Sequence, residues 1–301
     1  RNNQNGIPLT LYSLAHQSEI GIIEIGSNHL KEIEFLCKIA QPDFGYITNF
    51  GKAHLEGFGS LEGVVEGKTE LYRYLQENNK LVFVNANDAK QLQKSDAIKR
   101  VSFGDIIADV IIKFVHSNPY VTVLYNNLII KSQLIGLYNF NNIAAAIAIG
   151  NHFKVEDIAI KEAIENYAPQ NNRSQIIEKE TNKIILDAYN ANPSSMQAAI
   201  ENLSVLTDIT KIAILGDMFE LGNESKIEHQ KICDVIENLN INKTYVIGKN
   251  FYNCIIKKSN IEKFKDFDDF KEFLTSNPII NTTILIKASR GMALERVLDL
   301  L

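Results

Sequence analysis

The sequence predicts an α/β protein of two domains, and three observations carry that reading. The first is length: 301 residues exceed one core of ordinary size and suit two domains, each with its own interior. The second is the recurrence of Ile- and Val-rich runs at 20–26, 44–50 and 81–85, then at 183–188, 211–216, 243–248 and 283–288, with helical patterns between them. Such runs read as strands buried on both faces, and their alternation with helices implies parallel sheets. The third is a break in the alternation. The runs 110–116, 120–125 and 128–134 follow one another without helices, and Asn126-Asn127 separates the last two like a hairpin turn, so an antiparallel flap on the first sheet is expected. Helical patterns at 139–151 and 156–167 then lead into Ala168-Pro169-Gln170-Asn171-Asn172, the most linker-like stretch. The boundary is placed there, giving domains 1–170 and 171–301.

Composition narrows the function classes. Hydrophobic residues make up 45% and charged residues 22%, and no apolar run reaches the roughly 18 residues of a membrane span, so a soluble protein without membrane insertion is expected. A net charge of -5 without a dense Lys/Arg block argues against a nucleic-acid partner, which needs a basic stripe to neutralise phosphates. Cys37, Cys233 and Cys254 lie far apart in apolar settings and read as buried free thiols of a reducing, cytoplasmic compartment. The chain opens Arg1-Asn2-Asn3 with neither an initiator Met nor a signal peptide, and further residues are expected upstream.

In open parallel sheets ligands bind beyond the carboxyl ends of the strands, so polar residues there carry weight. Glu24 sits in the apolar run Gly21-Ile22-Ile23-Glu24-Ile25-Gly26, where an unpaired carboxylate is costly. An ion pair and a metal or substrate role are equally good accounts of it. His54 follows the second run in a glycine-rich loop, from which it could share one cation with Glu24, although a lone loop histidine is usually only solvated. The stretch Gly63-Val64-Val65-Glu66-Gly67-Lys68-Thr69 imitates a phosphate loop but has three residues between its glycines instead of four, and no buried strand leads into it. By these rules Lys68 reads as a surface residue. In the second domain, Asp187 before Ala188-Tyr189-Asn190, Asp217 after Leu215-Gly216, and Lys287-Ala288-Ser289-Arg290 end three runs in polar clusters. Three such clusters, each expected to open onto a helix, point to a ligand cleft, and Pro193 is placed to begin the first helix.

Together these strings resemble the Mur ligases, over nearly the whole chain. The resemblance rests on Gly6-Ile7-Pro8-Leu9-Thr10-Leu11, Glu24-Ile25-Gly26-Ser27-Asn28-His29, Ala53-His54-Leu55-Glu56-Gly57-Phe58-Gly59-Ser60-Leu61, Gly136-Leu137-Tyr138-Asn139-Phe140-Asn141-Asn142, Asp187-Ala188-Tyr189-Asn190-Ala191-Asn192-Pro193, Leu215-Gly216-Asp217-Met218-Phe219-Glu220-Leu221-Gly222 and Lys287-Ala288-Ser289-Arg290-Gly291-Met292. It implies a mostly parallel, P-loop-type central sheet with helices on both faces, truncated at its N-terminus, and a Rossmann-like C-terminal domain. It implies ATP-dependent ligation of D-alanyl-D-alanine to UDP-N-acetylmuramoyl-tripeptide through an acyl phosphate, by a monomer, in peptidoglycan synthesis.

Residue by residue, the resemblance makes Lys68 a carbamylated lysine that joins Glu24 and His54 around Mg2+, with Lys68 and His54 as catalytic groups. Asn139, Asn142, Arg173, Asp187, Tyr189 and Asn190 become ATP contacts, and Asn28, His29, Asp217, Lys287, Ser289 and Arg290 substrate contacts. It also implies domain closure about a hinge near 169–173. Tyr138 stands where the family usually has His, Asn172 where it often has Gly, and Ser27 where Ala is usual. The family's phosphate loop is expected just upstream of Asn2, so the 301 residues alone are expected to fold but not to ligate. The alternatives are another ligase of the superfamily, adding an amino acid or extending folate with glutamate, and a non-catalytic remnant of the fold. A metal hydrolase is disfavoured by the lack of dense His/Asp clusters.

Overall fold

The computed structural model describes residues 2–14, 17–52 and 54–301, and its chain packs as two compact units. The first comprises Arg1–Lys113 and Asn141–Ile160, the second Phe114–Phe140 and Lys161–Leu301.

The first unit holds a four-stranded parallel sheet in sequential order: β1 Phe44–Tyr46, β2 Leu81–Asn85, β3 Lys99–Gly104 and β4 Val110–Ile111. Its core gathers Ile47, Phe50, Val65, Tyr72, Leu75, Val82 and Val84. The run 44–50 thus shortens to three paired residues, and β3, whose pattern is broken by Lys99 and Arg100, joins it unannounced. The run 20–26 carries no strand. Apolar composition needs a ladder partner to become a strand, and among the described residues the run shows one main-chain bond outside regular elements, from Gly26 N–H to the Asn2 carbonyl at 2.9 Å. Ile22 accordingly stands 86% exposed.

The second unit is built on a six-stranded sheet ordered β12-β11-β10-β13-β9-β8. Five of its strands run parallel: β9 Asn182–Asp187, β10 Lys211–Gly216, β11 Lys243–Ile247, β12 Ile261–Phe264 and β13 Thr283–Lys287. The edge strand β8 Gln175–Lys179 is antiparallel to β9. All residues of β10 and β13 are buried, as their unbroken apolar runs require. The anticipated flap is a separate sheet of β5 Lys113–Ser117, β6 Tyr120–Tyr125 and β7 Leu128–Ile135, not an extension of the first. Of the run 110–116 only β4 lies on the first sheet, parallel to β3. The turn is as expected: Asn126 and Asn127 adopt φ of 45° and 64°, the left-handed pair that joins tightly twisted antiparallel strands.

Helices fall where the patterns place them, at Asn139–His152 and Asp157–Asn166, and Pro193 opens Pro193–Val205 behind an Asn192/Ser195 capping box. Of the three polar strand ends, only that of β9 opens directly onto an α-helix; β13 runs into a single 3-10 turn, Arg290–Met292. Among the described residues no helix is long and apolar enough to cross a membrane.

The imitation phosphate loop is the helix Leu61–Lys68, capped by Ser60, whose hydroxyl accepts the Gly63 N–H at 3.0 Å. Its glycines exist for close approach. A Cβ on Gly63 would lie 2.1 Å from the Phe58 carbonyl oxygen, and one on Gly67 2.4 Å from the Phe58 ring. Alanine normally favours a helix over glycine by about 1 kcal/mol. Here Gly63→Ala is expected instead to destabilise the protein by about 1–3 kcal/mol, read as a lowered midpoint in urea unfolding, because a backbone oxygen must move.

Candidate functional site

In the first unit the expected metal-site residues sit on irregular segments and one helix end. Glu24 is exposed, and its Oε1 accepts the Asn2 side-chain amide at 3.1 Å. The expectation of a carboxylate in a buried strand end is therefore corrected: solvent and a neutral amide suffice. Lys68 closes the helix Leu61–Lys68, half-buried, with its Nζ donating to the Asn49 carbonyl at 2.6 Å. Burial holds its amine below the ordinary lysine range. His54 is half-buried at φ 52° and starts the turn Leu55–Phe58 through its carbonyl, which accepts the amides of Gly57 and Phe58. Ala53, the first residue of that string, lies outside the described residues. Gly57 lets this turn touch the next segment, since a Cβ there would lie 1.8 Å from the Asn28 carbonyl oxygen. Asn28 and His29 are both exposed; Asn28 Oδ1 and His29 Nδ1 are 2.6 Å apart, and His29 stands 3.3 Å from Glu32. Among the described residues no three His, Cys, Asp or Glu side chains gather as a metal cage.

In the second unit the strand ends converge. Lys287, 2% exposed, faces Asp187 across the β13–β9 register and donates to its Oδ2 at 2.5 Å. Lys287 also donates to the Asn190 carbonyl at 3.2 Å, and Asp187 Oδ1 accepts the Ser174 N–H at 3.2 Å. Next to this pair Arg173 lies 3.9 Å above the Tyr189 ring, and Tyr138 shares a 2.8 Å hydroxyl bond with Ser174. Burial, then the neighbouring Asp187, pushes the Tyr138 phenol up. Asn139 is buried with its amide on the Ile135 carbonyl at 2.8 Å, Asn142 on the same helix is exposed, and Asn190 is exposed with Oδ1 on the Ala191 amide.

Asp217 and Ser289 face inward. The Asp217 carboxylate, 3% exposed, accepts the amides of Asn250 at 2.9 Å and Phe251 at 3.0 Å, holding the start of the helix Lys249–Tyr252. Gly248 has φ 124° and would put a Cβ 2.3 Å from that carboxyl carbon. The Ser289 hydroxyl accepts the Phe219 amide at 2.8 Å and donates to the Ala191 carbonyl at 3.3 Å, clipping three strand ends together. Arg290 points outward into an ion pair with Glu295 at 2.7 Å.

Two buried groups escape a reading of the sequence. Glu70, two residues after Lys68, accepts the amides of Lys31 at 2.6 Å and Glu34 at 2.9 Å, so it caps the helix Glu32–Ala40 from afar and ties the Asn28-His29 segment to the helix pair around Lys68. Its partners are 39 and 36 residues distant, and nothing local distinguishes it from a surface Glu. His229, fully buried, accepts the Met218 N–H on Nε2 at 3.0 Å, which leaves the proton on Nδ1 for the Ser225 carbonyl at 2.7 Å. Burial lowers its pKa, and the bond from the Met218 N–H needs the neutral ring. Its only local signal is Ser225 one helical turn earlier.

The family model for the Mur ligase middle domain matches residues 1–150, and that for the Mur ligase glutamate ligase domain residues 172–290. The UDP-N-acetylmuramoyl-tripeptide--D-alanyl-D-alanine ligase of Bacillus subtilis (strain 168) is 30% identical over 312 residues, covering 98% of this chain and 67% of the relative. The chain belongs to the Mur ligase family. A second Mur ligase of the same description, from Escherichia coli (strain K12), is 30% identical over 98% of this chain and 68% of its own length. Among solved structures, MurF from Acinetobacter baumannii superposes with a TM-score of 0.89 at 26% identity over 99% of this chain and 68% of its own. MurF from Thermotoga maritima, in complex with ADP, does so at 0.85 and 27% identity over 99% and 70%. The two-domain α/β architecture expected of a Mur ligase is thus the one observed.

Two outcomes follow for this Mur ligase. Lys287→Met should cost about 1–3 kcal/mol, because it leaves the half-buried Asp187 carboxylate without its ion-pair partner, while Asp187→Asn/Lys287→Met should cost less than the sum of the single changes; a double-mutant cycle in urea measures both. Neutral His229 contributes stability that is complete above the ordinary histidine value of 6.5 and is lost as pH falls below it. Thermal midpoints should drop between pH 7.5 and 5.5 more steeply in the parent than in His229→Gln; parallel slopes would contradict this.

Proposed function

We propose that this Mur ligase joins D-alanyl-D-alanine to UDP-N-acetylmuramoyl-tripeptide at the expense of ATP, in the cytoplasm, as a step of peptidoglycan precursor synthesis. The observation that carries the reading is the match, at 30% identity over 98% of the chain, to a protein named for that reaction. The two strand-end groups of the second unit support it. Arg173 stacked on Tyr189 offers a flat, cationic and partly exposed surface suited to a nucleotide, and Asp187 and Asn190 border it. Lys287 fixes that border from beneath through its bonds to both. Asn139 and Asn142 at the start of their helix are assigned to the same nucleotide, and Asn28, His29, Asp217, Ser289 and Arg290 to the substrate side, Asp217 and Ser289 by shaping the strand ends.

Reaction proceeds by transfer of the γ-phosphoryl group to the tripeptide carboxylate, followed by attack of the dipeptide amine on the acyl phosphate and loss of phosphate. Bound Mg2+ would supply charge neutralisation on the phosphoryl oxygens. The donor set of Glu24, His54 and Lys68 fits such an ion on one condition. A lysine ammonium cannot ligate, whereas its neutral amine can add carbon dioxide, release one proton and present an anionic oxygen. With one carboxylate, one imidazole and one carbamate, the ion would take its other ligands from phosphate and water, as magnesium does. The Asn49 carbonyl keeps the Lys68 amine in place for this, and Glu70 fixes the helix that carries it against the Asn28-His29 segment.

In the full-length gene product, ADP release should require both the tripeptide nucleotide and D-alanyl-D-alanine. Release with a single amino acid but not the dipeptide would point to another branch of the family. Lys68→Ala should lower turnover roughly 100-fold or more, with partial recovery in added formate or acetate. Undiminished turnover would remove the carbamate from the account.

A further inference from the structure

We propose that Tyr138 is a positioning residue for nucleotide binding, whose hydroxyl holds the turn that displays Arg173. The inference rests on the ligase reading above and adds a residue to it. Arg173 lies in a turn of unusual backbone: Asn171, Asn172 and Ser174 adopt φ of 58°, 58° and 49°. Asparagine tolerates this left-handed region, but serine adopts it rarely. Such a conformation persists where surrounding contacts impose it. Here they act on both sides of Arg173. Before it, the Asn172 carbonyl accepts the Tyr189 N–H at 3.2 Å. After it, the Ser174 N–H donates to Asp187 Oδ1 at 3.2 Å, and the Ser174 hydroxyl shares its 2.8 Å bond with the Tyr138 hydroxyl. The backbone bonds come from the end of β9 and the turn after it, whereas Tyr138 reaches in from 36 residues earlier in the chain.

Tyr138 is itself fixed. Gly136 has φ 82°, and a Cβ there would lie 2.5 Å from the Tyr138 ring, so the ring rests where a side chain would stand. The Asn139 N–H closes that turn on the Gly136 carbonyl at 3.0 Å, and the Asn139 side-chain amide donates to the Ile135 carbonyl at 2.8 Å. Ser174 is buried, so water is a poor substitute for the phenol as its partner. Arg173, by contrast, is exposed, and its stacking on Tyr189 at 3.9 Å is too weak to define the backbone that carries it. Where the guanidinium stands is therefore decided by Asn172 and Ser174. Without the Tyr138 hydroxyl, the left-handed serine can relax, and the nucleotide must order Arg173 as it binds. Tyr138 also directly precedes Asn139, so one hydroxyl bond joins the helix start and the Arg173 turn that are both assigned to the nucleotide.

The test uses the full-length gene product, with ADP affinity from titration calorimetry and steady-state rates at varied ATP. Tyr138→Phe keeps the ring and removes only the bond; Ser174→Ala removes it from the other side. Each should weaken ADP about tenfold and raise KM for ATP to match, with kcat changed by less than about twofold and KM for D-alanyl-D-alanine unmoved. The double variant should bind ADP no more weakly than either single one, because all three lack the same bond. Unchanged ADP affinity in both single variants, additive losses in the double variant, or a rise in every KM alike would overturn the proposal alone. A parent protein that binds no ADP would overturn the ligase reading and this inference with it.

Discussion

The Asp187–Lys287 ion pair sets the constraint around which the second unit's strand ends are organised. Taking two charges out of water costs several kcal/mol per ion, and attraction alone seldom offsets that unless further hydrogen bonds complete both shells. Here they do. The lysine reaches the Asn190 carbonyl as well as the carboxylate, and the carboxylate's second oxygen accepts the Ser174 amide. The pair therefore holds three backbone positions in one arrangement: the end of β9, the turn at Asn190, and the segment that precedes β8. Arg173 and Tyr189 belong to that same backbone, joined also by the bond from the Tyr189 amide to the Asn172 carbonyl at 3.2 Å. Their stacking, worth only about 0.5–1 kcal/mol at an exposed place, could not by itself fix two long side chains. It is the ion pair beneath that makes it reproducible.

The first unit solves a different problem with glycine. Its signature string reads like a phosphate loop, but the geometry shows glycines used as absent side chains: Gly57 admits the Asn28 carbonyl, Gly63 the Phe58 carbonyl, and Gly67 the Phe58 ring. Phe58 is buried at the centre of these contacts. Lys68 follows directly on the last of them, so the position of its amine is inherited from how closely the helix can approach Phe58. Glu70 continues the same logic by electrostatics, capping a second helix with a carboxylate that has left water.

Legibility in the sequence followed the range of the forces. The strands β9, β10, β11 and β13 of the second unit were readable because burial leaves a largely apolar run, and the hairpin and the Pro193 helix because their residues set local dihedral angles. The edge strands β8 and β12 and the inner strand β3 were not readable, since Lys99, Arg100, Glu178, Glu262 and Lys263 interrupt the apolar pattern. The run at 20–26 misled in the opposite sense: composition announced a strand, but pairing is a property of two segments. The polar ends of β9, β10 and β13 were found by position, yet what each side chain does was hidden. Whether a carboxylate such as Asp217 faces a ligand or a distant helix start is decided by residues more than thirty positions away. Family resemblance supplied roles for Lys68 and Arg173 that no rule of spacing could.

The proposed contacts divide by how their hydrogen bonds are used. Asp217, Ser289 and Lys287 are buried and spend their capacity on backbone groups, so what they fix is the shape of the strand ends. Glu24, Asn28, His29, Tyr189, Asn190 and Arg290 keep much of their surface in water. A residue of the first kind that is shortened should disturb stability before affinity, because its partners are left unsatisfied in the interior. A residue of the second kind loses little in the free protein and can lose much only when a ligand has displaced the water around it. The polar residues gathered by one motif therefore need not share one role. Ser289 and Arg290, adjacent in the chain, illustrate it: the first closes three strand ends from inside, and the second presents its guanidinium outside, oriented by Glu295.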